Sequence, residues 1–388
     1  MRKTCFFVGI VAGLIVISVL AMQGCNDGGA KSGGPGSTGL AGGGFVFKEK
    51  LSEYGFFVNK LSDLQPAPGV LPYELVTPLF TDYAVKDRFI VLPAGQTIRY
   101  TAQGVLDFPD STILVKNFAY RNPSNQKILI ETRLLVKDPQ DKRWEVMDYL
   151  WKEDQSDAIR HITGARIPIT LLDDRGDRIS TIYQVPNTND CKRCHINNDV
   201  LTPIGPKARN LNFVRARAET GPGRGGVNRE DTGFNQLVIW AKQGRLSGLP
   251  AIGQVERLPG WKDSLHFSVG QRARAYLDVN CAHCHTRGGD AYNTGLFLEY
   301  QQTDPEHIGI LKAPVSAGGG AGGLNYDIIP GDATHSILAY RMNSTEPGTA
   351  MPELARTVIH QEAVALIRNW IDQLPRKRPL KKLQQKEQ

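Results

Sequence analysis

The chain has 388 residues, of which 41% are hydrophobic and 22% are charged, and its formal net charge is +7. This composition is that of a globular protein, and the length favours two domains. The positive charge is mild and lies partly in the tail from Arg376. It therefore does not favour nucleic-acid binding, and we expect no nucleic-acid partner.

The N-terminus predicts export. Arg2 and Lys3 precede an apolar run that extends from residue 5 to residue 22 without a charge. A small residue then precedes Cys25, as a lipoprotein signal peptidase requires. We expect residues 1–24 to be a cleaved signal peptide and Cys25 to carry the lipid. An uncleaved membrane anchor is the alternative, because the run is about long enough to span a bilayer.

Residues 25–44 are rich in glycine and predict a flexible tether between a membrane and the folded chain. The expected location is the periplasm, with a lipid anchor in a bacterial membrane. At the other end, residues 376–388 are typical of a solvated basic tail.

Residues 45–215 have the pattern of a β-rich domain. Runs of β-branched and aromatic residues alternate with turn-forming segments that contain Pro, Gly and Asn. We expect an antiparallel sheet or sandwich of about six strands. The candidate strands are residues 89–92, 97–100, 112–118, 127–136, 144–151 and 178–185.

Two motifs carry the chemistry. The first motif, Cys191-Lys-Arg-Cys194-His195, ends the β-rich domain, and the second is Cys281-Ala-His-Cys284-His285. Two thiols three residues apart can each add to a vinyl group of one porphyrin, and the histidine that follows can bind the iron. The motifs therefore predict two covalently bound haems c, with His195 and His285 as proximal iron ligands.

Zinc and disulfide bonds are alternative uses of the same cysteines. The cysteine pairs of a zinc ribbon usually lie about 15–20 residues apart, whereas 86 residues separate Cys194 from Cys281. Export would permit disulfides. Neither alternative accounts for a histidine directly after both pairs, so we favour haem.

Residues 216–264 predict a linker region, and residues 265–375 predict a second domain. One helical pattern leads from Ser268 into the second motif, and another covers residues 360–374, with Met351-Pro352 in a loop between them. The order of these parts resembles the class I cytochrome c fold. We therefore expect an α+β multidomain protein, in which the β-rich haem domain precedes an all-α cytochrome c-like domain.

The sixth iron ligands are less evident from the sequence. We call the haem of the first motif haem 1 and that of the second motif haem 2. Met351 is the expected ligand of haem 2, because Met342 lies on a predicted helix, where methionine is more often a core residue. For haem 1, Met147 or His161 could reach the iron, or the site could be vacant. We expect His283 to point away from the iron and His360 to face solvent or cap a helix.

Four stretches resemble a family of uncharacterised bacterial dihaem c-type cytochromes: residues 72–84, 130–134, 204–212 and 272–277. The resemblance implies haem binding and electron transfer, without naming a substrate. Residues 108–116, followed by a tryptophan-containing strand and the first motif, are also similar to the β-rich cytochromes of the P460 type. That likeness would make Lys116 a candidate for a cross-link to haem, although Ser111 replaces the usual glycine.

We expect an electron-transfer protein rather than an enzyme, with an exported redox protein as its donor or acceptor. The alternative is a peroxidase-like dihaem enzyme in which haem 1 binds exogenous ligands. A third hypothesis is that the β-rich domain binds a partner or a glycan.

Overall fold

The computed structural model describes residues 45–214, 233–315 and 317–376. The predicted signal peptide, the lipid-bearing Cys25 and the tether lie outside the described residues, as does almost all of the basic tail. The described residues all belong to one compact unit. Within them, no helix combines the length and the apolar character needed to cross a bilayer.

Six antiparallel strands form the main sheet, in the spatial order β3-β4-β6-β7-β8-β9. Long runs rich in Val, Ile, Leu and aromatic residues favour these strands, because such side chains pack well on a pleated surface. The bounds of these strands are β3 Val70–Tyr73, β4 Val85–Val91, β6 Ile113–Arg121, β7 Lys127–Lys137, β8 Trp144–Trp151 and β9 Ala158–His161.

The remaining strands form two-stranded sheets. The pairs are β1 Phe57–Val58 with β2 Gln65–Pro66, β5 Ile98–Arg99 with β14 Leu246–Ser247, β10 Ala165–Leu172 with β11 Arg178–Val185, and β12 Ile196–Asn197 with β13 Val200–Leu201. Two of the candidate strands, 97–100 and 178–185, therefore lie outside the main sheet.

Seven α-helices occur in the described residues. Their bounds are α1 Thr188–His195, α2 Ala208–Leu211, α3 Gln236–Lys242, α4 Val269–Asn280, α5 Pro305–Ile308, α6 Ile337–Met342 and α7 Gln361–Gln373.

The main sheet is covered on both faces. Successive side chains of a strand point to opposite faces, so Val146 and Asp148 share one face of β8 while Met147 and Tyr149 share the other. Val146 packs in a core cluster that includes Cys191 of the first motif. We call this side of the sheet the motif face. Tyr149 belongs to a separate cluster on the opposite face, with Met147 packed against it.

The hairpin of β10 and β11 covers the far end of the motif face. Tyr183 and Leu171 of this hairpin pack with Ile130 of β7 in a third cluster, against which Leu150 of β8 also packs. A β-bulge between β6 and β7 turns Ile130 toward the hairpin, because the register shifts after Phe118.

The expectation of a separate all-α cytochrome c-like domain is wrong. Only 23% of the described residues are helical. Between Cys281 and His360 the described chain has only two short α-helices, α5 and α6, and two short 3-10 helices among turns, loops and isolated bridges. The segment contains many glycines, which disfavour helix interiors. The amphipathic patterns at its two ends do form α4 and α7, and these two helices pack together.

Buried polar contacts join the C-terminal region to the β-rich part. The guanidinium of Arg209 on α2 donates to Asp278 on α4 at 2.6 Å, with both side chains buried. The backbone N–H of Phe80 donates to Asn280 Oδ1 at 2.7 Å. These contacts place the start of the second motif against the β-rich part of the chain.

Candidate functional site

Helix α1 presents the first motif to the main sheet. Asn187 caps the helix by accepting hydrogen bonds from the N–H groups of Asn189 and Asp190, and the Asp190 side chain accepts from the N–H of Asn187. This capping box fixes where the helix begins. Cys191 is consequently buried, with 6% exposure, in the core of the motif face.

His195 is held in the form that an iron ligand requires. Its Nδ1–H donates to the carbonyl oxygen of Thr202 at 2.9 Å, which leaves Nε2 available to a metal. Burial lowers the pKa of His195 to about 3. The imidazole is therefore neutral at pH 7.

The second motif begins where α4 ends, and Cys281 is the C-cap residue of that helix. His285 Nδ1 lies 3.3 Å from the Thr294 hydroxyl oxygen, and that hydroxyl donates to the carbonyl of Ala291 at 2.7 Å. The imidazole nitrogen is thus the donor, and its Nε2 is available to a metal. Burial lowers the pKa of His285 to about 4, so this histidine is also neutral at pH 7.

A cavity of about 340 Å³ opens beside the second motif. Its lining includes Cys281, Cys284 and His285, and Met351 faces the same space. The volume lies in the usual range for cofactor sites, about 300–1,000 Å³. The wall also contains Arg341 and Arg356, whose guanidinium groups can bind carboxylates of a ligand, beside acidic residues such as Glu353. These residues fit a covalently attached haem.

Met342 and His360 line the same cavity. Met342 is 6% exposed and belongs to the core cluster around α4 and α7, as expected for a packing residue. His360 does not face solvent, since it is only 7% exposed. It occupies the N-cap position of α7, as one of the two expectations had it, but its side chain makes no capping hydrogen bond. The ring instead stacks on Phe80 and shares a 3.0 Å hydrogen bond with the Tyr276 hydroxyl.

The two motifs meet at a cluster of three side chains. The ligand atoms of Cys194, His283 and Cys284 all lie within 4.8 Å of one another. A hydrogen bond from the Cys284 thiol lowers the pKa of Cys194 to about 5. His283 takes part in this cluster, with its buried Nδ1 making no hydrogen bond to any described residue. Sequence reasoning missed His283, because no sequence signal marks the residue between two motif cysteines.

The sheet separates the two candidate sixth ligands of haem 1. Met147 packs on the opposite face of the sheet, away from Cys191, so it cannot reach an iron bound by His195. His161 lies on β9 opposite Asp148, on the motif face, and its Nε2 is 2.8 Å from the carbonyl oxygen of Gly164.

Lys116, the residue highlighted by the P460-type likeness, lies on β6 beside the first motif. Its neighbours in the sheet are Arg88 and Arg133, and its ammonium group lies 4.8 Å from the centre of the Phe118 ring. Burial lowers its pKa well below the usual lysine value.

Comparison with known proteins adds no family to these observations. Scans of family profiles, curated proteins and solved structures find no match to the chain.

Proposed function

We propose that this chain is an exported dihaem c-type cytochrome that transfers electrons between redox partners. The observation that carries the proposal is the cavity that both thiols of the second motif, His285 and Met351 line together. If a haem were attached there, His285 and the thioether of Met351 would be available to hold its iron. A bound haem iron supplies a one-electron redox couple, whose potential a thioether ligand raises.

The proximal histidines support the proposal. Each donates its Nδ1–H to an oxygen acceptor, the Thr202 carbonyl for His195 and the Thr294 hydroxyl for His285. Such hydrogen bonds fix the tautomer and the orientation of a ligating imidazole. Their burial keeps both rings neutral, which metal binding requires.

The approach of the two motifs supports electron transfer between them. Arg193 and Cys194 of the first motif line the cavity of the second, and Cys194 lies next to Cys284. The Arg193 guanidinium also lies 3.2 Å from carboxylate oxygens of Asp290 and Glu353. Haems attached to the two motifs would therefore be adjacent. The ion pairs of Arg193 would keep the two motifs together.

The partner and location follow from the N-terminal sequence. A lipid on Cys25 and a glycine-rich tether would place the redox sites near a bacterial membrane, within reach of an exported donor or acceptor. This part of the proposal rests on residues outside the described ranges.

The experiment that tests the proposal is haem counting on the full chain, expressed with a c-type cytochrome maturation system. Intact-mass spectrometry should show two covalent haems, and replacement of both cysteines of either motif by alanine should remove one. The matched control is Cys25→Ser, which should prevent lipidation and keep both haems. A wild-type mass without added haem would refute the proposal.

A metal site is the second candidate function, favoured by the cluster of Cys194, His283 and Cys284. Two thiolates and an imidazole are ligands that zinc prefers. This arrangement competes with haem, because it uses one cysteine from each motif. His283→Ala separates the two, since it should abolish stoichiometric zinc in the metal-site case and leave two covalent haems in the cytochrome case.

The position of Met147 favours the peroxidase-like alternative over a methionine-ligated haem 1. With Met147 on the opposite face of the sheet, His161 or a vacant sixth position remains. Cyanide and CO titrations of the haem-loaded protein test this alternative. A spectral change in one haem would support an open site, and no change in either haem would exclude it.

A further inference from the structure

A row of charged side chains crosses the motif face of the main sheet. The strand register places Arg88 of β4 beside Lys116 of β6, Lys116 beside Arg133 of β7, and Arg133 beside Asp148 of β8. We call these four residues the charged row. The next row on the same face contains Lys86, Phe118 and Glu131 in neighbouring positions.

This row is buried at its two ends, Arg88 and Asp148, and half-buried between them. Apolar side chains of the core around Cys191, such as Leu114 and Leu135, occupy the strand positions on one side of it. The β10-β11 hairpin packs on the other side. Arg88 is only 7% exposed and Asp148 only 2%. Buried charges at such a location require partners.

Two of the charges are satisfied within the protein. The Arg133 guanidinium makes an ion pair with Glu131, which also accepts a 2.7 Å hydrogen bond from the Tyr183 hydroxyl. Burial and the neighbouring Glu131 raise the pKa of Asp148 well above its usual value, so Asp148 is held in its neutral form. These side chains together contribute no net charge.

Three cations are left without a carboxylate within 4 Å among the described residues: Lys86, Arg88 and Lys116. Lys86 donates only to the Ala84 carbonyl, at 3.0 Å. One terminal nitrogen of Arg88 is buried without a hydrogen bond. Lys116 makes no hydrogen bond or ion pair with any described residue, and its ammonium group lies over the Phe118 ring. Burial lowers the pKa of Lys86 to about 7, as expected for an ammonium group without a counter-ion.

We infer that Lys86, Arg88 and Lys116 form a binding site for a pair of carboxylate groups. Two carboxylates would favour the charged form of these basic groups and would satisfy the unpartnered Arg88 nitrogen. Lysine and arginine side chains bind carboxylates through charge-assisted hydrogen bonds.

Two sources of this chemistry are compatible with the location. The row lies beside the first motif, because Leu114 and Leu135, each two residues from a member of the row, share a core with Cys191. The carboxylates can be the two propionates of a haem attached to Cys191 and Cys194, in which case the inference rests on the proposed function. They can equally come from a free dicarboxylic acid.

The test uses the full chain as expressed with its cofactors, with succinate as the free probe. Lys116→Met and Arg88→Met each remove one charge, and Lys116→Arg restores it. Lys152→Met is the control, because Lys152 is an exposed lysine directly after β8. One readout is the pair of midpoint potentials in a redox titration. The other is hydrogen exchange of β4 and β6 with and without succinate, which does not depend on haem.

Propionate binding predicts that the two methionine variants lower one midpoint potential and leave the other unchanged, while Lys116→Arg and Lys152→Met resemble the wild type. Succinate binding predicts saturable protection of β4 and β6, with a dissociation constant at least tenfold higher in both methionine variants. The inference is overturned if the methionine variants match the control in both readouts. A chain without covalent haem would refute the proposed function, and the succinate readout would still decide the inference.

Discussion

Asp82 holds the segment that follows Met351 against the β-rich part of the chain, and its replacement should loosen that segment. Its Oδ1 accepts hydrogen bonds from the backbone N–H groups of Thr357 and Val358 at 2.8 and 3.0 Å. Its Oδ2 accepts from the Thr357 hydroxyl at 2.8 Å. Asp82 is 1% exposed, so water cannot replace the carboxylate without a rearrangement.

The magnitude follows from these contacts. Asp82→Ala leaves two half-buried N–H groups without acceptors, at about 1–2 kcal/mol each. The residue has φ of 42°, in the left-handed region that aspartate and asparagine tolerate better than alanine, which adds about 1 kcal/mol. We expect a loss of about 3–5 kcal/mol in the free energy of unfolding. Asp82→Asn keeps one acceptor oxygen and should cost only about 1 kcal/mol.

Urea unfolding of the two variants measures this difference. Asp199→Ala is the matched control, since Asp199 is exposed and also has a positive φ, of 60°. This variant measures the free-energy cost of placing alanine at a positive φ, without the loss of the hydrogen bonds that Asp82 makes. If Asp82→Ala loses no more stability than Asp199→Ala, the carboxylate does not hold this segment.

Three further predictions concern the buried contacts and the cavity. Arg209→Met should lower the free energy of unfolding by about 1–3 kcal/mol, because the buried Asp278 loses its 2.6 Å partner and keeps only Lys207 Nζ, at 3.6 Å, and the N–H of Tyr300; urea unfolding in which it matches the wild type would contradict this. His360 has a pKa lowered by burial to about 3, so the unfolded chain binds more protons and stability is lost as the pH falls below about 6.5. Between pH 7 and pH 5 the wild type should lose about 2 kcal/mol more than His360→Gln, and equal losses in urea titrations would refute the assignment. Met351→Ala should lower one midpoint potential and allow CO to bind that haem, whereas Met342→Leu should do neither. If CO binds only to the Met342 variant, the iron ligand is Met342 and not Met351.

Local patterns in the sequence predict the main strands and the two longest helices. The runs 112–118, 127–136 and 144–151 coincide within a few residues with β6, β7 and β8, because β-branched and aromatic residues favour strands wherever they are packed. After residue 265 the same patterns predict an all-α domain, which the structure does not contain. They correctly place helices at both ends, but not the loops between them or the contacts of Asp278 and Asn280 with the β-rich part.

The candidate site depended on pairings that the sequence does not contain. The charged row joins residues of four strands, and each taken alone is an ordinary charge in a strand. Only the register shows that Arg88, Lys116 and Arg133 are neighbours. The cluster at His283 likewise needs two motifs far apart in sequence to meet. In contrast, the spacing within each motif is local, and the sequence shows it directly.

The close approach of Cys194 and Cys284 has a consequence for how the protein is assembled. If the chain is exported as proposed, both thiols emerge into an oxidising compartment and the fold brings them together. Oxidation would then join two cysteines that belong to different motifs and block both attachment sites. Maturation would therefore have to keep these thiols reduced, and to modify at least one motif before the chain folds around it.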